Sequence, residues 1–597
     1  MRNIITPVFF LILLFQSAIA QDQNLSYNKV YPPSAFIDQG GNIVDVTKPP
    51  FNATGNGVTD DSDALIAAFN YVADKLAIFG YDAPEASYII YIPDGTYKVS
   101  KTIHYTIDLP ANSQGKDFLA QLRIYGQSRE NTIIKLIDNC SGFGAGAVKP
   151  VISTVNSPEN QNQNNWASNN GIKNLTVNIG SGNPGAVGVR FNGANNCRAE
   201  NLKIISEDGQ GYIGYQIFVR PTQGYHNNII VDGFDYGVAV ATGKQHVTHP
   251  TFEYLSVSNQ NIAGFWLQFS SATVRKLQSN NTVPGVLVSE PTAHLILIDS
   301  DLSGGSTSNP AIDYQAGHLF ARNISTSGYG DAIKQGSTVI ENGPQVTEYH
   351  NHSTLKYDSN SPSTSMNLPI EEVPYLNWET NFNNWAVVED YGAVGDGTTD
   401  DTQAIQNALN SGKPMVYFSK QEYNFSSVTV PASVKRINTG FARLYINGGF
   451  VVNENSPDPI FIEDINNRKT GGTVVEHAST RTIVLDHCQS QGKPYVVTDT
   501  NPNKKAFMLD VTGFGKAGNP ITNVTLFGRW VNTENQNNPN FLFSTGSVVS
   551  ILGYKIEKRV VNTLAENGAI LEVLGGVSNY TSSGASTNDM HQNNESH

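Results

Sequence analysis

Short apolar strands recur along this chain at a nearly constant spacing. In the first half, apolar tripeptides end 20 to 27 residues apart, with Asn, Gly and Ser in the turns between them, at Val177, Ile204, Val231, Val257, Leu277, Ile298 and Ile324. Similar strands centre on Leu485, Leu509, Leu552 and Leu574. One short strand in each period of this length is typical of a solenoid. The repeat lacks a leucine ladder and helix pairs, so it predicts a right-handed parallel β-helix.

The start of this pattern occurs twice, 340 residues apart. Gly57-Val58-Thr59-Asp60-Asp61 corresponds to Gly397-Thr398-Thr399-Asp400-Asp401, and a helical apolar pattern follows each copy. Asp or Thr ahead of a helix caps its free N–H groups, and such a helix would cover the open end of a stack of strands. We therefore interpret these aspartates as structural rather than catalytic. The fold expected is all-β, with two tandem right-handed parallel β-helices, each opened by a short capping α-helix.

The pattern also divides the chain into segments. The predicted boundaries are a signal peptide at 1–20, a first β-helix at 35–345, a linker at 346–384, a second β-helix at 385–578 and a disordered tail at 579–597. The linker is expected to run extended over the surface, because it is rich in Ser and Pro. The tail has almost no apolar content, which is typical of disorder.

The N-terminus predicts export. Arg2 precedes a short apolar run, and Ser17-Ala18-Ile19-Ala20 offers a cleavage site. No stretch reaches the roughly 18 apolar residues that a membrane span needs, so we expect a secreted or periplasmic protein without membrane insertion. The three cysteines, Cys140, Cys197 and Cys488, are odd in number and far apart. They are predicted to be buried free thiols, although a disulfide between one pair of them remains an alternative.

Charge narrows the choice of partner. The 597 residues include 52 Asp and Glu against 38 Lys and Arg, which gives a net charge of −14. A surface of that sign repels phosphate backbones, so nucleic acid is excluded as a partner. It also disfavours densely anionic polymers and leaves neutral glycans open. We expect a monomer.

The second opening motif resembles a known family. Asp390-Tyr391-Gly392-Ala393-Val394-Gly395-Asp396-Gly397 is similar to the start of the pectate-lyase-superfamily β-helix domain, also found in rhamnogalacturonase and epimerase-like proteins. The first copy departs from it, with Thr54-Gly55-Asn56-Gly57 in place of Gly-Asp-Gly. Two such domains in an exported chain are most similar in layout to glycoside hydrolase family 55, the exo-β-1,3-glucanases. The resemblance implies a polysaccharide hydrolase, for example on a β-glucan, without a cofactor.

The resemblance also implies a general acid, a Glu on the second β-helix in a cleft between the two. Three candidates stand in strand-like sequence: Glu534, Glu476 and Glu557. Glu534 comes first, because Trp530 precedes it by four residues and an indole face suits a sugar ring. The residues alone leave an ordinary solvated role open for each of the three.

Polar and aromatic side chains of the first β-helix are candidates for substrate contacts. Gln216, His226, Trp266 and Gln268 lie among further aromatic residues, a pattern that suits a neutral saccharide and equally suits Asn/Gln ladders inside a β-helix. His477 and His487 are ten residues apart, which is not a ligand spacing, so no metal site is predicted.

Two other functions remain open. A polysaccharide lyase acting on an acidic glycan would need calcium and an arginine base, for which Arg220, Arg275, Asp299 and Asp301 are available. The motifs G-H-G and R-x-K of family 28 polygalacturonases are absent from the sequence, so that activity is not expected. A glycan-binding β-helix without catalysis is the third possibility.

Overall fold

The computed structural model describes residues 27–75, 88–107, 121–155, 168–218, 222–240, 249–351, 364–513, 520–533, 541–556, 563–578 and 591–594. It is all-β, as predicted, with two α-helices at Ser62–Lys75 and Thr402–Leu409. Short 3-10 helices lie at Pro33–Ala35, Ile37–Gln39, Phe382–Asn384 and Val388–Tyr391. Glu534 and Glu557 lie outside the described residues.

The first half of the chain forms two sheets of mostly parallel strands. The first long sheet contains Ile43–Asp45, Asn56–Asp60, Ile89–Ile92, Gly95–Val99, Arg123–Gly126, Thr132–Leu136, Gly171–Asn178, Cys197–Ile205, Gln223–Asp232, His249–Ser258, Ser271–Asn280, His294–Ser303, His318–Thr326 and Gln345–His350. The first short sheet contains Lys149–Ser153, Ala186–Phe191, Ile213–Ile217, Tyr236–Val240, Ala263–Leu267, Val286–Val288, Pro310–Tyr314, Asp331–Gln335 and Thr338–Glu341. The last strand of each is antiparallel to its neighbour.

The second half forms its own two sheets. The second long sheet contains Trp385–Val387, Asp396–Asp400, Met415–Tyr417, Glu422–Thr429, Arg436–Asn438, Arg443–Val452, Ile460–Asn467, Thr473–His477, Ile483–Ser490, Lys493–Val497, Lys504–Thr512, Val524–Asn532, Val548–Ile556, Ile570–Leu574 and Val577–Ser578. The second short sheet contains Ile521–Thr522, Phe541–Ser544, Thr563–Glu566 and His591–Asn594. Within the described ranges, strands pair only inside their own half, which is consistent with two tandem β-helices. Their boundaries and handedness stay predictions.

The repeat read from the sequence corresponds to stacked coils. Val177, Ile204, Val231 and Val257 are register partners in successive parallel strands, and all four are buried. The same holds for Leu485, whose partners are Ile462 and Met508. Stacked apolar rows of this kind fill the interior of each half, since every coil buries its apolar face only against its neighbours.

The duplicated aspartates act locally, as the sequence interpretation expects. An Asp60 oxygen accepts the backbone N–H of Ser62 at 3.0 Å, and Asp400 accepts that of Thr402 at the same distance. Asp61 and Asp401 instead accept N–H groups of the preceding glycine loops, at 2.7 to 3.3 Å. These bonds connect each loop to the helix that follows.

Close stacking of coils makes one glycine sensitive to substitution. A Cβ atom added to Gly224 would lie 1.7 Å from the carbonyl oxygen of Cys197 in the neighbouring strand. We therefore expect Gly224→Ala to lower the melting temperature by several degrees, because neighbouring strands would have to separate. The matched control is Gly144→Ala, where nothing lies within 4 Å of the added atom. Equal melting temperatures for the two variants would contradict this stacking.

Candidate functional site

The two long sheets contact each other along a surface that we call the seam. Side chains bridge it at several levels along the stack: Asn169 to Gln489 at 3.0 Å, Asn196 to the carbonyl of Asp510 at 3.0 Å, Glu253 to Arg529 at 2.8 Å, Thr273 to the carbonyl of Leu574 at 3.1 Å and Arg322 to Glu572 at 3.1 Å. The seam therefore extends over much of the length of both halves.

The linker lies along one side of the seam. Arg275 Nη2 donates to Glu372 at 2.6 Å, and Arg436 donates to the carbonyls of Leu376 and Asn377 at 3.0 and 2.9 Å. Residues 364–384 are exposed or half-buried apart from Trp378. This part of the linker contacts both halves, because its carboxylates and carbonyls accept hydrogen bonds from arginines of the two long sheets.

Ion pairs dominate this linker side. A small cavity of about 50 Å³ is lined by four cations, four carboxylates and further residues: Lys29, Lys173, Arg198, Arg436, Glu200, Glu463, Asp464, Asp486, Tyr27, Asn227, Val373, Pro374, Tyr375, Trp378, Phe461 and Leu509. Burial alone would raise the pKa of Glu200, but Arg198 and Lys173 lower it to about 2. A carboxylate held ionised in this way does not serve as a proton donor at neutral pH.

The opposite side of the seam is lined by amides and hydroxyls. Register partners of the second long sheet place polar side chains in one line, at Asn466, Gln489, Thr512, Asn532 and Lys555. Asn169, Asn195 and Asn196 of the first half face them, and Lys555 Nζ donates to Asn195 at 2.7 Å. We call these eight residues the amide row.

Several buried atoms of the amide row have no partner among the described residues. These are Asn169 Oδ1, Asn196 Oδ1, Asn466 Oδ1 and Thr512 Oγ1, and Thr533 Oγ1 next to the row is in the same state. A buried polar atom left unpaired costs about 1–3 kcal/mol. Because these atoms are buried, internal water is the neutral partner that fits them. Of the row, Gln489 and Asn195 are half-buried and can reach a larger ligand.

Three titratable residues stand between the two sides, one on each of three neighbouring coils. Asp464, His487 and Asp510 are spaced 23 residues apart and all adopt left-handed backbone, with φ of 57°, 56° and 55°. His487 Nδ1 lies 2.8 Å from Asp464 Oδ1, and His487 Nε2 lies 3.9 Å from Asp510 Oδ2. We call them the Asp-His-Asp column.

Their protonation states differ. Burial raises the pKa of Asp510 to about 8. Burial also lowers the pKa of His487 to about 4, although Asp464 counteracts it. Asp464 is buried too, yet Lys173 and His487 hold its pKa well below the usual range. At neutral pH the column therefore contains one carboxylate, one neutral imidazole and one protonated carboxyl group.

The first half fills the equivalent corner with asparagine. Asn174, Asn201 and Asn228 share left-handed φ values of 64°, 54° and 53°. Each amide donates to the previous one, Asn201 to Asn174 at 2.5 Å and Asn228 to Asn201 at 2.8 Å. Asn tolerates this backbone at little cost, so the ladder is structural. The titratable column replaces such a ladder where the second half faces the seam.

The stability of the protein should fall between pH 6.5 and 8 because of Asp510. A carboxyl whose pKa is raised in the folded state stabilises the fold at low pH, and this contribution is lost as pH rises towards about 8. His487 acts oppositely, but only below pH 6.5. The groups that act on Asp510 are Arg198 and Lys173, which lower its pKa, and Asp464, which raises it.

Asp510→Asn should remove this alkaline loss. As the pH rises from 6.5 to 8, the free energy of unfolding of the variant should increase by about 1 to 2 kcal/mol relative to that of the wild type. Urea unfolding at both pH values measures this difference. Asp74→Asn, on the exposed face of the first helix, is the control and should show no such gain. If the free energies of unfolding of the wild type and of Asp510→Asn change equally between the two pH values, Asp510 is not protonated in the folded protein.

The structure describes one of the three predicted acids, Glu476. Glu476 is half-buried in the strand Thr473–His477, which supplies none of the seam contacts named above. Glu534 directly follows Thr533, which is buried beside the amide row. Its own position, like that of Glu557, lies outside the described residues. The role of all three stays a prediction.

Two predicted substrate contacts are fully buried. Trp530 packs with Tyr225, Phe507 and Phe527, so its ring has no open face for a sugar. His226 stacks on Phe252 with ring centroids 5.0 Å apart and lies 3.0 Å from the Tyr215 hydroxyl. Burial lowers its pKa to about 3. Both residues belong to packed interiors in this structure.

The other predicted contacts lie on or next to the first short sheet, away from the seam. Gln216 is buried and accepts from Arg190 Nε at 2.7 Å. Trp266 stacks on Tyr236 with centroids 4.3 Å apart, and its Nε1 donates to Ser289. One face of the indole is therefore covered by another ring. Gln268, just beyond the same strand, is half-buried.

Sequence reasoning missed the Asp-His-Asp column and the amide row. A usable signal was present for the column, since the spacing of 23 residues equals one coil of the second half. Polar residues that repeat at the coil period lie on one face of a β-helix.

His477, the other histidine considered as a metal ligand, is bound within its own half. It bonds to the Tyr495 hydroxyl at 2.7 Å and to the Arg481 carbonyl at 2.8 Å.

Two further expectations concern cysteines and membranes. Cys140, Cys197 and Cys488 are buried free thiols, which resolves the open question of a disulfide. Across the described ranges, neither α-helix has the length and apolar character required to cross a bilayer.

Comparison with known proteins confirms the family resemblance. A family model described as "Rhamnogalacturonase A/epimerase, pectate lyase-like" matches residues 44–287 and 385–437. A curated relative, the glucan 1,3-beta-glucosidase of Cochliobolus carbonum, is 23% identical over 466 residues, covering 69% of this chain and 54% of the relative. The chain thus spans about half the length of that relative.

Solved structures match only distantly. The A-module of an Azotobacter vinelandii mannuronan C-5 epimerase is 12% identical with a TM-score of 0.27, covering 90% of this chain and 98% of the module. The catalytic unit of a Streptomyces thermodiastaticus α-1,3-glucanase is 11% identical with a TM-score of 0.18, covering 93% and 70%. These values carry no information on substrate.

Proposed function

We propose that this protein is an exported glycoside hydrolase acting on a neutral glucan, and the match of residues 44–287 and 385–437 to the rhamnogalacturonase A/epimerase, pectate lyase-like family supports a carbohydrate-active enzyme. The amide row is the observation that carries the proposal. Apart from the Lys555 ammonium its side chains are uncharged, and its half-buried members Gln489 and Asn195 offer donors and acceptors that match the hydroxyl groups of an uncharged sugar chain.

The electrostatics of the seam favour a neutral polymer over an acidic one. The carboxylates of the linker-side cavity face cations of similar number, so no excess positive charge awaits a uronate. The net charge of −14 acts in the same direction. The relative named a glucan 1,3-beta-glucosidase supports a glucan as the substrate class.

Hydrolysis requires a proton donor and a base, roughly 6.5–9.5 Å apart if the configuration inverts. We assign the acid to Glu534, because it directly follows Thr533 beside the amide row. Glu476 and Glu557 are the alternatives. The linker-side carboxylates Glu200 and Asp464 are unsuitable acids, because their cation partners keep them ionised.

A lyase mechanism is disfavoured by the surroundings of Arg275. This guanidinium donates to Glu253 at 2.8 Å, to Asp299 at 3.0 Å and to Glu372 at 2.6 Å. Burial alone would lower the pKa of Arg275, but Glu253 and Glu372 raise it above the usual range, whereas a base must give up its proton. Asp301 accepts from Ser325, and Arg220 lies outside the described residues.

Incubation with a panel of soluble glycans tests the proposal. We expect new reducing ends from a neutral β-glucan without an unsaturated, ultraviolet-absorbing product. Unsaturated products from a uronate polymer with calcium would establish the lyase. No product from any glucan would contradict hydrolysis.

Glycan binding without catalysis is the second candidate. It is favoured by the amide row itself, which contains no carboxylate. Calorimetric titration of the same panel separates the two: a binding module would show saturable heat with a neutral glycan and no product after prolonged incubation.

A further inference from the structure

The tautomer of His487 follows from its neighbours. Its Nδ1 is 2.8 Å from Asp464 Oδ1, and Asp464 is ionised, so Nδ1 carries the hydrogen of the neutral ring. Nε2 is then a bare acceptor. It is buried and has no partner among the described residues, so a donor is missing at this point.

Asp510 presents the complementary group. Neither of its carboxyl oxygens has a partner within the described chain, although the residue is fully buried. Arg198, a guanidinium of the first half that acts on Asp510, already bonds to Asp486 and, at 3.1 Å, to Glu200. Asp510 therefore holds a proton that it does not share with Arg198.

The distance between the two groups decides what joins them. His487 Nε2 and Asp510 Oδ2 are 3.9 Å apart, too far for a direct hydrogen bond and short enough for one bridging atom. Asn196 approaches from the first half, with its Nδ2 3.0 Å from the Asp510 carbonyl and its Oδ1 unpaired. A donor and an acceptor thus face each other across this gap, and a second unpaired acceptor lies on the residue that bonds to the Asp510 backbone.

We propose that Asp510, His487 and Asn196 form a buried binding site for one water molecule inside the seam. The water accepts the hydrogen of the Asp510 carboxyl and donates its own two hydrogens to His487 Nε2 and Asn196 Oδ1. Three hydrogen bonds are the usual number for an internal water, and this set balances donors against acceptors. A cation or anion does not fit, because the three lining groups are uncharged.

Of the three residues, only Asn196 belongs to the amide row that carries the hydrolase proposal, and none is a proposed acid. The test does not require a substrate, so its failure is distinguishable from failure of the hydrolase proposal. Asn196 belongs to the first half, and His487 and Asp510 belong to the second. The water therefore completes a contact between the two halves that the side chains alone leave open.

A crystal structure of the full chain at about pH 6.5 tests the proposal. We expect an ordered water about 2.6–3.2 Å from an Asp510 carboxyl oxygen, from His487 Nε2 and from Asn196. A direct Asp510–His487 hydrogen bond, a dry site, or Asp510 paired with Arg198 would overturn it.

Two variants supply a second test by melting temperature at the same pH. Asp510→Asn keeps a donor for the water and should melt within one or two degrees of the wild type. Asp510→Leu has the same number of side-chain heavy atoms without a donor, and should melt several degrees lower because it leaves His487 Nε2 buried and unpaired. Infrared spectroscopy should show a protonated-carboxyl band that Asp510→Asn lacks. Equal stability of the two variants would overturn the proposal.

Discussion

Glu253→Gln should destabilise the protein by about 3–5 kcal/mol. The Glu253 carboxylate accepts from Arg529 Nε and from Arg275 Nη1, each at 2.8 Å, and these arginines belong to different halves. Both guanidiniums are almost fully buried. A neutral amide of the same size would leave two positive charges facing each other with too little negative charge between them.

Urea unfolding of Glu253→Gln measures the loss, with Asp63→Asn as the matched control. Asp63 pairs with Lys101 at 2.7 Å, but the two side chains are 89% and 46% exposed. Removing such a surface pair should cost at most about 1 kcal/mol. If Glu253→Gln unfolds at the wild-type urea concentration, the network across the seam does not stabilise the assembly of the two halves.

Glu534→Gln should reduce hydrolysis of the best glucan about 10²–10⁴-fold. The amide occupies the same volume, so binding should persist while proton donation is lost. The measurement is the rate of reducing-end release by the purified variant, with circular dichroism to establish that the strands are intact. Substrate affinity should stay within a few-fold of the wild type.

Glu476→Gln is the matched control, because the strand Thr473–His477 that contains Glu476 contributes none of the hydrogen bonds described across the seam. Its rate should stay close to that of the wild type. If Glu534→Gln is fully active and Glu476→Gln is not, the acid is Glu476. If both are active, Glu557 remains to be tested by the same substitution.

The stacking of the chain was predictable from local features. Strands at Val177, Ile204 and Val231 could be located because each coil repeats one apolar segment and one polar turn. The helices after Asp61 and Asp401 were equally accessible, since helix capping depends on neighbouring residues alone. These properties are encoded within about 25 residues of sequence.

The seam was not predictable in the same way. Trp530 was predicted to offer its indole face to a sugar, but it is buried against Tyr225 because the two halves place these residues against each other. Which face of a coil meets the other half depends on the rotation of one stack relative to the other. No local pattern specifies that rotation, so Asp510 gave no sign of its burial.

The seam also constrains how this protein can change in length. Its bridges join specific coils, such as Asn196 with Asp510 and Thr273 with Leu574. Inserting one coil into either half would displace every later bridge by about 4.8 Å along the axis, enough to break all of them. Gain or loss of a coil must therefore occur in both halves at matching levels, or beyond the last bridge. Changes in coil number during evolution are therefore coupled between the two halves.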